Sequence, residues 1–242
     1  MKRMSLRCVL LSVLTATSAS ASAGVNLRWD ACFADSGASN RTFTCNSGTN
    51  VIVGSFVLGA DLLLVSGVEI VIDIATAGAT LPAWWQFKSV GTCRQASLAL
   101  NPTISLAAVN CLDWASGAAA GGLAAYNFGH AGPKTARLIG GFAVPASSLA
   151  DLFAGQEYFA FNALISNSRT VGTGACAGCS TGADIVCNSI KVATPPVAGQ
   201  PSRDVTLFGP TNGTDSHIAL WQGGSSVPTH TTKWSALKTI YH

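Results

Sequence analysis

The chain has 242 residues, with 14 basic and 11 acidic side chains and a formal net charge of +3. Only 10% of the residues are charged and 48% are hydrophobic, which excludes an intrinsically disordered chain, because disorder requires few apolar and many charged residues. Three of the basic residues fall in the first 23 positions, which leaves 11 basic and 11 acidic residues in the rest of the chain. A chain without net charge has no electrostatic basis for binding nucleic acid or an anionic membrane.

The first 23 residues have the order of an export signal. Three basic residues precede the apolar run of residues 8–14, and small residues follow as far as Ala23. Because the apolar run is too short to span a bilayer, we predict a secretory signal peptide over residues 1–23 and no membrane span. The mature protein is therefore expected to be secreted, either extracellular or at the cell surface.

Beyond this segment, short runs of β-branched and aromatic residues alternate with clusters of Gly, Pro, Asn and Ser, a pattern typical of strands joined by turns. The predicted strands are residues 25–29, 41–45, 50–57, 65–74, 83–88, 137–144, 157–166, 185–192, 204–208 and 218–222. Many strands and few helices predict an all-β fold, a two-sheet antiparallel β-sandwich of the jelly-roll or cohesin/immunoglobulin-like kind, with one or two short helices. The predicted sandwich domain covers residues 24–194.

The alternation is clearest in residues 157–166. One face of this predicted strand carries Phe159, Phe161, Ala163 and Ile165. The other face carries Tyr158, Asn162 and Ser166. A period of two predicts that the first face is buried and the second is not.

The segments between the strands carry weaker signals. Residues 148–153 predict one or two helical turns, and the Gly/Ala-rich residues 116–125, which lack periodicity, predict a long flexible connection. Residues 195–242 are predicted to hold a Pro-rich crossing, the closing strands and a short C-terminal amphipathic helix packed on the sandwich. That helix would place three side chains on one face, Trp234, Leu237 and Tyr241.

Seven cysteines follow the predicted signal, and cysteines in an exported chain predict disulfides. Their spacing suggests two local bridges, Cys32–Cys45 and Cys93–Cys111, each contributing about 3 kcal/mol, although sequence does not determine connectivity. The remaining group has an odd number of thiols and consists of Cys176, Cys179 and Cys187.

Cys176 and Cys179 form a CxxC pair, which is either a structural staple or a redox site. A redox pair of the thioredoxin type begins a helix in a βαβ unit, whereas this pair lies in a Gly-rich loop, so we favour the staple. No second CxxC or paired histidine completes a zinc site, and the sequence predicts no metal and no cofactor.

Ser180 lies in a match to the nucleophile motif G-x-S-x-G. Either Asp204 or Asp215, followed by His217 or His230, supplies the Ser–Asp–His order of a hydrolase triad. A nucleophile elbow also needs a hydrophobic strand before it and a helix after it, and the surrounding Gly/Ser-rich loop offers neither. A small secreted hydrolase is therefore the alternative hypothesis, not the favoured one.

Trp84 and Trp85 are candidate ligand-binding residues. In a strand, adjacent side chains point to opposite faces, so one of the two indoles should face solvent unless a loop covers it. An exposed tryptophan can stack on a sugar ring. The alternative is that both indoles are buried, as large aromatic side chains usually are.

Four segments carry a family resemblance: Leu81-Pro-Ala-Trp84-Trp85-Gln-Phe87, Gly172-Thr-Gly-Ala-Cys176-Ala-Gly-Cys179, Trp221-Gln-Gly-Gly224 and Lys233-Trp234-x3-Lys238-x2-Tyr241. Together they resemble a group of uncharacterised exported proteins from environmental bacteria. The resemblance covers most of the mature chain and implies a secreted β-sandwich, with no known activity. More loosely, the strand Gly67-Val-Glu-Ile-Val-Ile-Asp-Ile74 is similar to strands of cohesin-like and carbohydrate-binding sandwiches.

These features predict a secreted, disulfide-stapled binding or structural module without catalytic activity. Its partner would be a glycan or another exported protein, recognised through exposed aromatic side chains or a sheet edge. A long unprotected edge strand would favour a third function, self-association.

Overall fold

The computed structural model describes residues 22–46, 48–104, 109–196, 202–211 and 215–225. Two large sheets pack face to face around a shared apolar core, which confirms the predicted all-β sandwich. Residues 1–21 lie outside the described residues, so the signal peptide over residues 1–23 stays a prediction. Among the described residues, no helix is long and apolar enough to cross a membrane.

The described residues form these strands in chain order: β1 (Gly24–Trp29), β2 (Asn40–Arg41), β3 (Thr49–Val57), β4 (Leu62–Val65), β5 (Gly67–Thr76), β6 (Leu98–Asn101), β7 (Leu112–Asp113), β8 (Ala120–Phe128), β9 (Thr135–Ala143), β10 (Ala150–Leu152), β11 (Glu157–Ser166), β12 (Ala183–Ala193), β13 (Val205–Leu207) and β14 (Ile218–Trp221).

The first sheet has the order β1-β3-β11-β6, and β7 pairs with the free part of the same edge of β11. The second sheet has the order β2-β14-β12-β5-β9-β8, and β13 also pairs with β12. Pairing is antiparallel except at two short contacts, β7 with β11 and β2 with β14. A separate ribbon is formed by β4 and β10.

The central strand β5 illustrates how the core forms. Val68, Ile70 and Ile72 alternate with outward-facing residues and are at most 2% exposed. On the outer face, Asp73 forms a bidentate pair with Arg137 of the neighbouring β9, at 2.7 Å for both contacts. This apolar-in, polar-out alternation is the period-two pattern of a strand with one buried face.

The prediction of which side chains of residues 157–166 are buried is wrong at the start of the strand. A bulge between Phe159 and Phe161 shifts the register, so Phe161 joins the main core while Phe159 packs on the outer side of the first sheet. Tyr158, expected on the polar face, is 4% exposed and belongs to the main core. A bulge adds one residue to a strand, so the alternation reverses beyond it.

Two of the predicted strands do not form strands over their predicted length. Residues 83–88 form a 3-10 turn at Ala83–Trp85, closed by the Trp85 N–H, which donates to the Pro82 carbonyl at 2.9 Å. Of residues 41–45, only the first belongs to a strand. In both places the aromatic residues that suggested strands are used for core packing.

The segments predicted as a flexible connection and as helical turns contain strands instead. Most of residues 116–125 belongs to β8, and residues 148–153 contain the end of a 3-10 turn (Ala146–Ser148) and then β10. Glycine and alanine give no alternation signal, but they fit the close pairing of β8 with β9. At Gly121 φ is +149°, and an added Cβ would lie 2.1 Å from the Gly141 carbonyl oxygen.

Among the described residues there are three disulfides, which contain the four cysteines of the predicted local bridges and both cysteines of the CxxC pair. The partners are Cys32–Cys111, Cys45–Cys179 and Cys93–Cys176. The two local bridges predicted from spacing, Cys32–Cys45 and Cys93–Cys111, are therefore wrong. Spacing gives only the number of residues between two cysteines. Which cysteines pair depends on which of them the folded strands bring close together. Three disulfides fit an extracellular, disulfide-stapled protein.

The two ends of the sandwich differ. At one end, the capped end, residues 77–97 and 167–182 cover the core. The bridge Cys93–Cys176 joins these two segments, and the bridge Cys45–Cys179 joins the second of them to Cys45. At the other, the open end, the β4–β10 ribbon leaves apolar side chains in solvent.

Cys187 is the free cysteine among the described residues, and its side chain is fully buried in β12. Burial raises the pKa of its thiol to about 12, so the thiolate is scarce at neutral pH. We expect the native protein to leave Cys187 unmodified by a thiol reagent, with one thiol reacting after unfolding in urea in a chain that lacks residues 1–23. Mass spectrometry of the labelled protein checks this, and fast labelling of the native protein would contradict the buried position.

Candidate functional site

Trp84 and Trp85 do not form an exposed binding surface. Both are 0% exposed, with their ring centroids 5.0 Å apart, and Trp84 also lies 4.7 Å from the ring of Trp221. The indole N–H of Trp84 donates to the Thr170 hydroxyl at 3.0 Å. The prediction that these residues stack on a glycan is therefore wrong for this structure, because the 3-10 turn directs both indoles inward.

The buried indoles instead hold a buried cation that sequence reasoning missed. Arg94 is 1% exposed, and its guanidinium carbon lies 3.7 Å from the centroid of the Trp84 ring. The guanidinium donates to the carbonyls of Ser166 (2.6 Å) and Ser168 (3.2 Å). Burial lowers the pKa of Arg94 to about 10. Arg94 therefore joins the loop before β6 to the loop after β11 and stabilises the capped end.

Within the described part of the chain, the structure does not bring Ser180, Asp204 and His217 together. Ser180 is exposed just before β12, whereas Asp204 precedes Val205, which pairs with Val192 near the far end of that strand. Nine residues of strand separate Ala183 from Val192, about 30 Å. The carboxylate of Asp204 is paired with Lys191 at 3.0 Å.

His217, the candidate triad histidine that the structure describes, does not lie beside Ser180 either. His217 is 4% exposed, and its carbonyl accepts a hydrogen bond from the Cys187 N–H at 2.9 Å, four strand residues or about 13 Å beyond Ala183. Burial lowers the pKa of His217, with Asp215 opposing that change. His230 lies outside the described residues.

Glu157 is a second buried charged residue that the sequence did not identify. It is 6% exposed at the start of β11, and it accepts hydrogen bonds from the Asn26 amide (3.0 Å) and the backbone N–H groups of Phe33 (3.1 Å) and Ala34 (2.7 Å). The Ser55 hydroxyl is a fourth donor. Its position beside Cys32 and Cys111 resembles a metal-ligand cluster. Because both sulfurs are bonded to each other, they supply no thiolate, and the carboxylate is structural.

A groove of about 510 Å³ opens at the open end between the β7 turn and β10. Its floor contains the buried residues Trp114, Leu152 and Tyr158. Its rim contains two exposed apolar side chains, Leu112 (50%) and Phe153 (57%). We call these residues, together with the lining carboxylates described next, the open-end groove.

The charged side chains that line the open-end groove are all negative. Asp113 and Asp151 line it, and none of its described lining residues is a lysine or arginine. Asp113 accepts hydrogen bonds from the Ala115 and Gly117 N–H groups, and Asp151 from the Leu64 N–H. These bonds are to backbone amides and leave the negative charges without a cationic partner in the groove.

The second exposed feature is the edge strand β8. It is nine residues long, contains no charged residue and no proline, and among the described residues it pairs only with β9. Ala120, Ala124 and Asn127 are exposed. Tyr126 anchors the strand, because its hydroxyl donates to the Trp85 carbonyl at 2.7 Å. The outer edge of β8 therefore presents backbone donors and acceptors from a fixed strand.

No protein-family model matches the chain, and no curated protein or solved structure matches it. The resemblance to exported proteins of environmental bacteria therefore stays a prediction.

Proposed function

We propose that the protein is an exported, non-catalytic module that associates with polypeptide partners by adding a strand to the edge of β8. The exposed, uncharged edge of this nine-residue strand is the observation that carries the proposal. A second copy of the chain offers the same edge, so antiparallel pairing of two β8 strands would continue the second sheet across a two-fold axis.

The other sheet edges support this choice by contrast. The edge of β1 is covered, since Val25 donates to the Gly209 carbonyl (2.8 Å) and Leu27 to that of Ser216 (2.8 Å). At the opposite edge of the second sheet, β2 has two residues and β13 has three. Exposed long edges are normally blocked by charge, proline or a covering segment, and β8 has no charge or proline.

Composition supports the proposal as well. With 11 basic and 11 acidic residues beyond position 23, no net charge opposes contact between copies. A glycan partner has less support, because the two tryptophans that suggested it are buried.

The test places a lysine on the edge. Ala124 is exposed at the β8 bulge, and we expect Ala124→Lys to weaken self-association at least about tenfold, because pairing would have to desolvate the ammonium group. Sedimentation velocity over a concentration series measures the dissociation constant.

Ala143→Lys is the matched control, since Ala143 is also exposed but belongs to β9, which is paired on both sides. This variant should associate like the wild type. If both lysines weakened self-association equally, the strand-edge contact between copies would be excluded. It would also be excluded if the wild-type protein stayed monomeric at about 0.1 mM, the concentration at which a contact worth about 5.5 kcal/mol is half formed.

A further inference from the structure

The open-end groove has the properties of a binding site for a basic, apolar peptide segment. Trp114, Leu152 and Tyr158 form an apolar floor, and the exposed rings and chains of Phe153 and Leu112 widen it. Exposed apolar side chains that border a concave site are typical of interaction surfaces. Two lining carboxylates without a lysine or arginine in the described lining favour a cationic occupant.

The sequence of this chain contains a segment of that composition. Residues 231–242 read Thr-Thr-Lys-Trp-Ser-Ala-Leu-Lys-Thr-Ile-Tyr-His, with Lys233 and Lys238 and no acidic residue. Trp234, Leu237 and Tyr241 supply apolar side chains between and beside the two lysines. Both the charge and the apolar character of the segment therefore complement the groove. The segment lies outside the described residues.

The position of the last described residue argues against docking within the same copy. Ser225 donates its N–H to Asp184 at 2.8 Å, near the start of β12, whereas the groove lies at the other end of the sandwich, level with Ala193. Those two levels are about 30 Å apart along the strand. The eight residues from Ser225 to Lys233 reach at most about 29 Å when fully extended, and the groove lies further away, towards the first sheet. Lys233 therefore does not reach the groove of its own copy, and a contact that uses both lysines needs a second copy.

We propose that residues 231–242 of one copy dock in the open-end groove of a second copy. The lysines lie against Asp113 and Asp151, and the apolar side chains pack on the groove floor between Leu112 and Phe153. Because donor and acceptor surfaces differ, the contact is head-to-tail and leaves each copy with a free groove or a free segment for the next. It does not involve β8 and is separate from the strand-edge pairing proposed above.

The test titrates a fluorescent peptide of residues 226–242 with the full chain, at concentrations below its self-association, and follows anisotropy. We expect saturable binding that weakens as salt is added, because the charges are solvent-accessible. Phe153→Ser and Asp151→Asn should each weaken binding about tenfold, since one removes rim contact and the other a charge. Phe208→Ser is the matched control, because Phe208 is 67% exposed and does not line the groove.

Two further measurements separate the alternatives. A peptide carrying Lys233→Glu and Lys238→Glu should bind at least about tenfold more weakly, and Ala124→Lys in the protein should leave peptide binding unchanged. Equal binding of the two peptides, or equal binding by Phe153→Ser and Phe208→Ser, would overturn the proposal. Absence of any peptide binding would also overturn the proposal. That result is expected if each groove is already filled by its own chain or by another ligand.

Discussion

Replacing Cys45 and Cys179 together with alanine is expected to lower the free energy of unfolding by about 2–5 kcal/mol. This bridge joins residues 134 positions apart, the longest separation of the three, and a cross-link that closes a longer loop removes more entropy from the unfolded chain. It also fixes the capped end, where the Trp221 indole donates to the Cys179 carbonyl at 2.7 Å. Urea denaturation followed by tryptophan fluorescence measures the loss.

Cys187→Ala provides the control for this double variant. It also removes a buried sulfur, but it breaks no cross-link, and we expect a loss of about 1 kcal/mol from the small cavity. If the double variant were no less stable than Cys187→Ala, the native protein would not contain the Cys45–Cys179 bridge. Peptide mapping without reduction would then identify the actual partners.

Glu157→Gln is expected to lower the free energy of unfolding by about 2–4 kcal/mol, although the two side chains have the same shape. Four donors converge on the carboxylate, from Asn26, Phe33, Ala34 and Ser55. An amide offers one acceptor oxygen, and its NH₂ group would face a backbone N–H that can only donate. The loop of residues 30–38 would lose one of its two backbone hydrogen bonds to this side chain, and one of the four donors would be left without a partner.

The only other glutamate of the chain gives the matched comparison. The side chain of Glu69 is 64% exposed and lies 3.5 Å from Lys191, and exposed ion pairs contribute little. Glu69→Gln should therefore change the free energy of unfolding by less than about 1 kcal/mol, as measured by the same urea denaturation. Similar losses in the two variants would show that Glu157 is not buried in a donor cluster.

The fold was predictable wherever residues alternate along a strand that is buried on one face. β5 and β9 were predicted in this way, because Ile70, Ile72 and Leu138 mark the buried face. Alternation does not predict the fold where the register or the backbone conformation changes locally. The bulge before Phe161 reverses the facing of β11, and β8 lacks alternation because glycine and alanine fill it.

The candidate sites were less predictable than the strands, because they depend on which loops meet. Trp84 is conspicuous in sequence, but its burial depends on Arg94 and on the loop that contains Thr170, far along the chain. The open-end groove combines residues 112–118 with residues 148–153, and no motif links these two segments. The sequence predicts that a free sheet edge would favour self-association. It does not predict which strand forms that edge, because the glycine and alanine residues of β8 show no alternation.

The connectivity of the disulfides has a consequence for biogenesis. If the chain is exported, as its first 23 residues predict, it emerges from its amino end. Cys45 then meets Cys32 long before Cys179 has crossed the membrane, and Cys111 is presented to Cys93 in the same way. The native partners lie 79, 134 and 83 residues apart, so oxidation in order of appearance gives pairs that the folded sandwich does not contain. Efficient production therefore requires thiol–disulfide exchange during maturation, and a disulfide isomerase should raise the yield of native protein more than an oxidant alone.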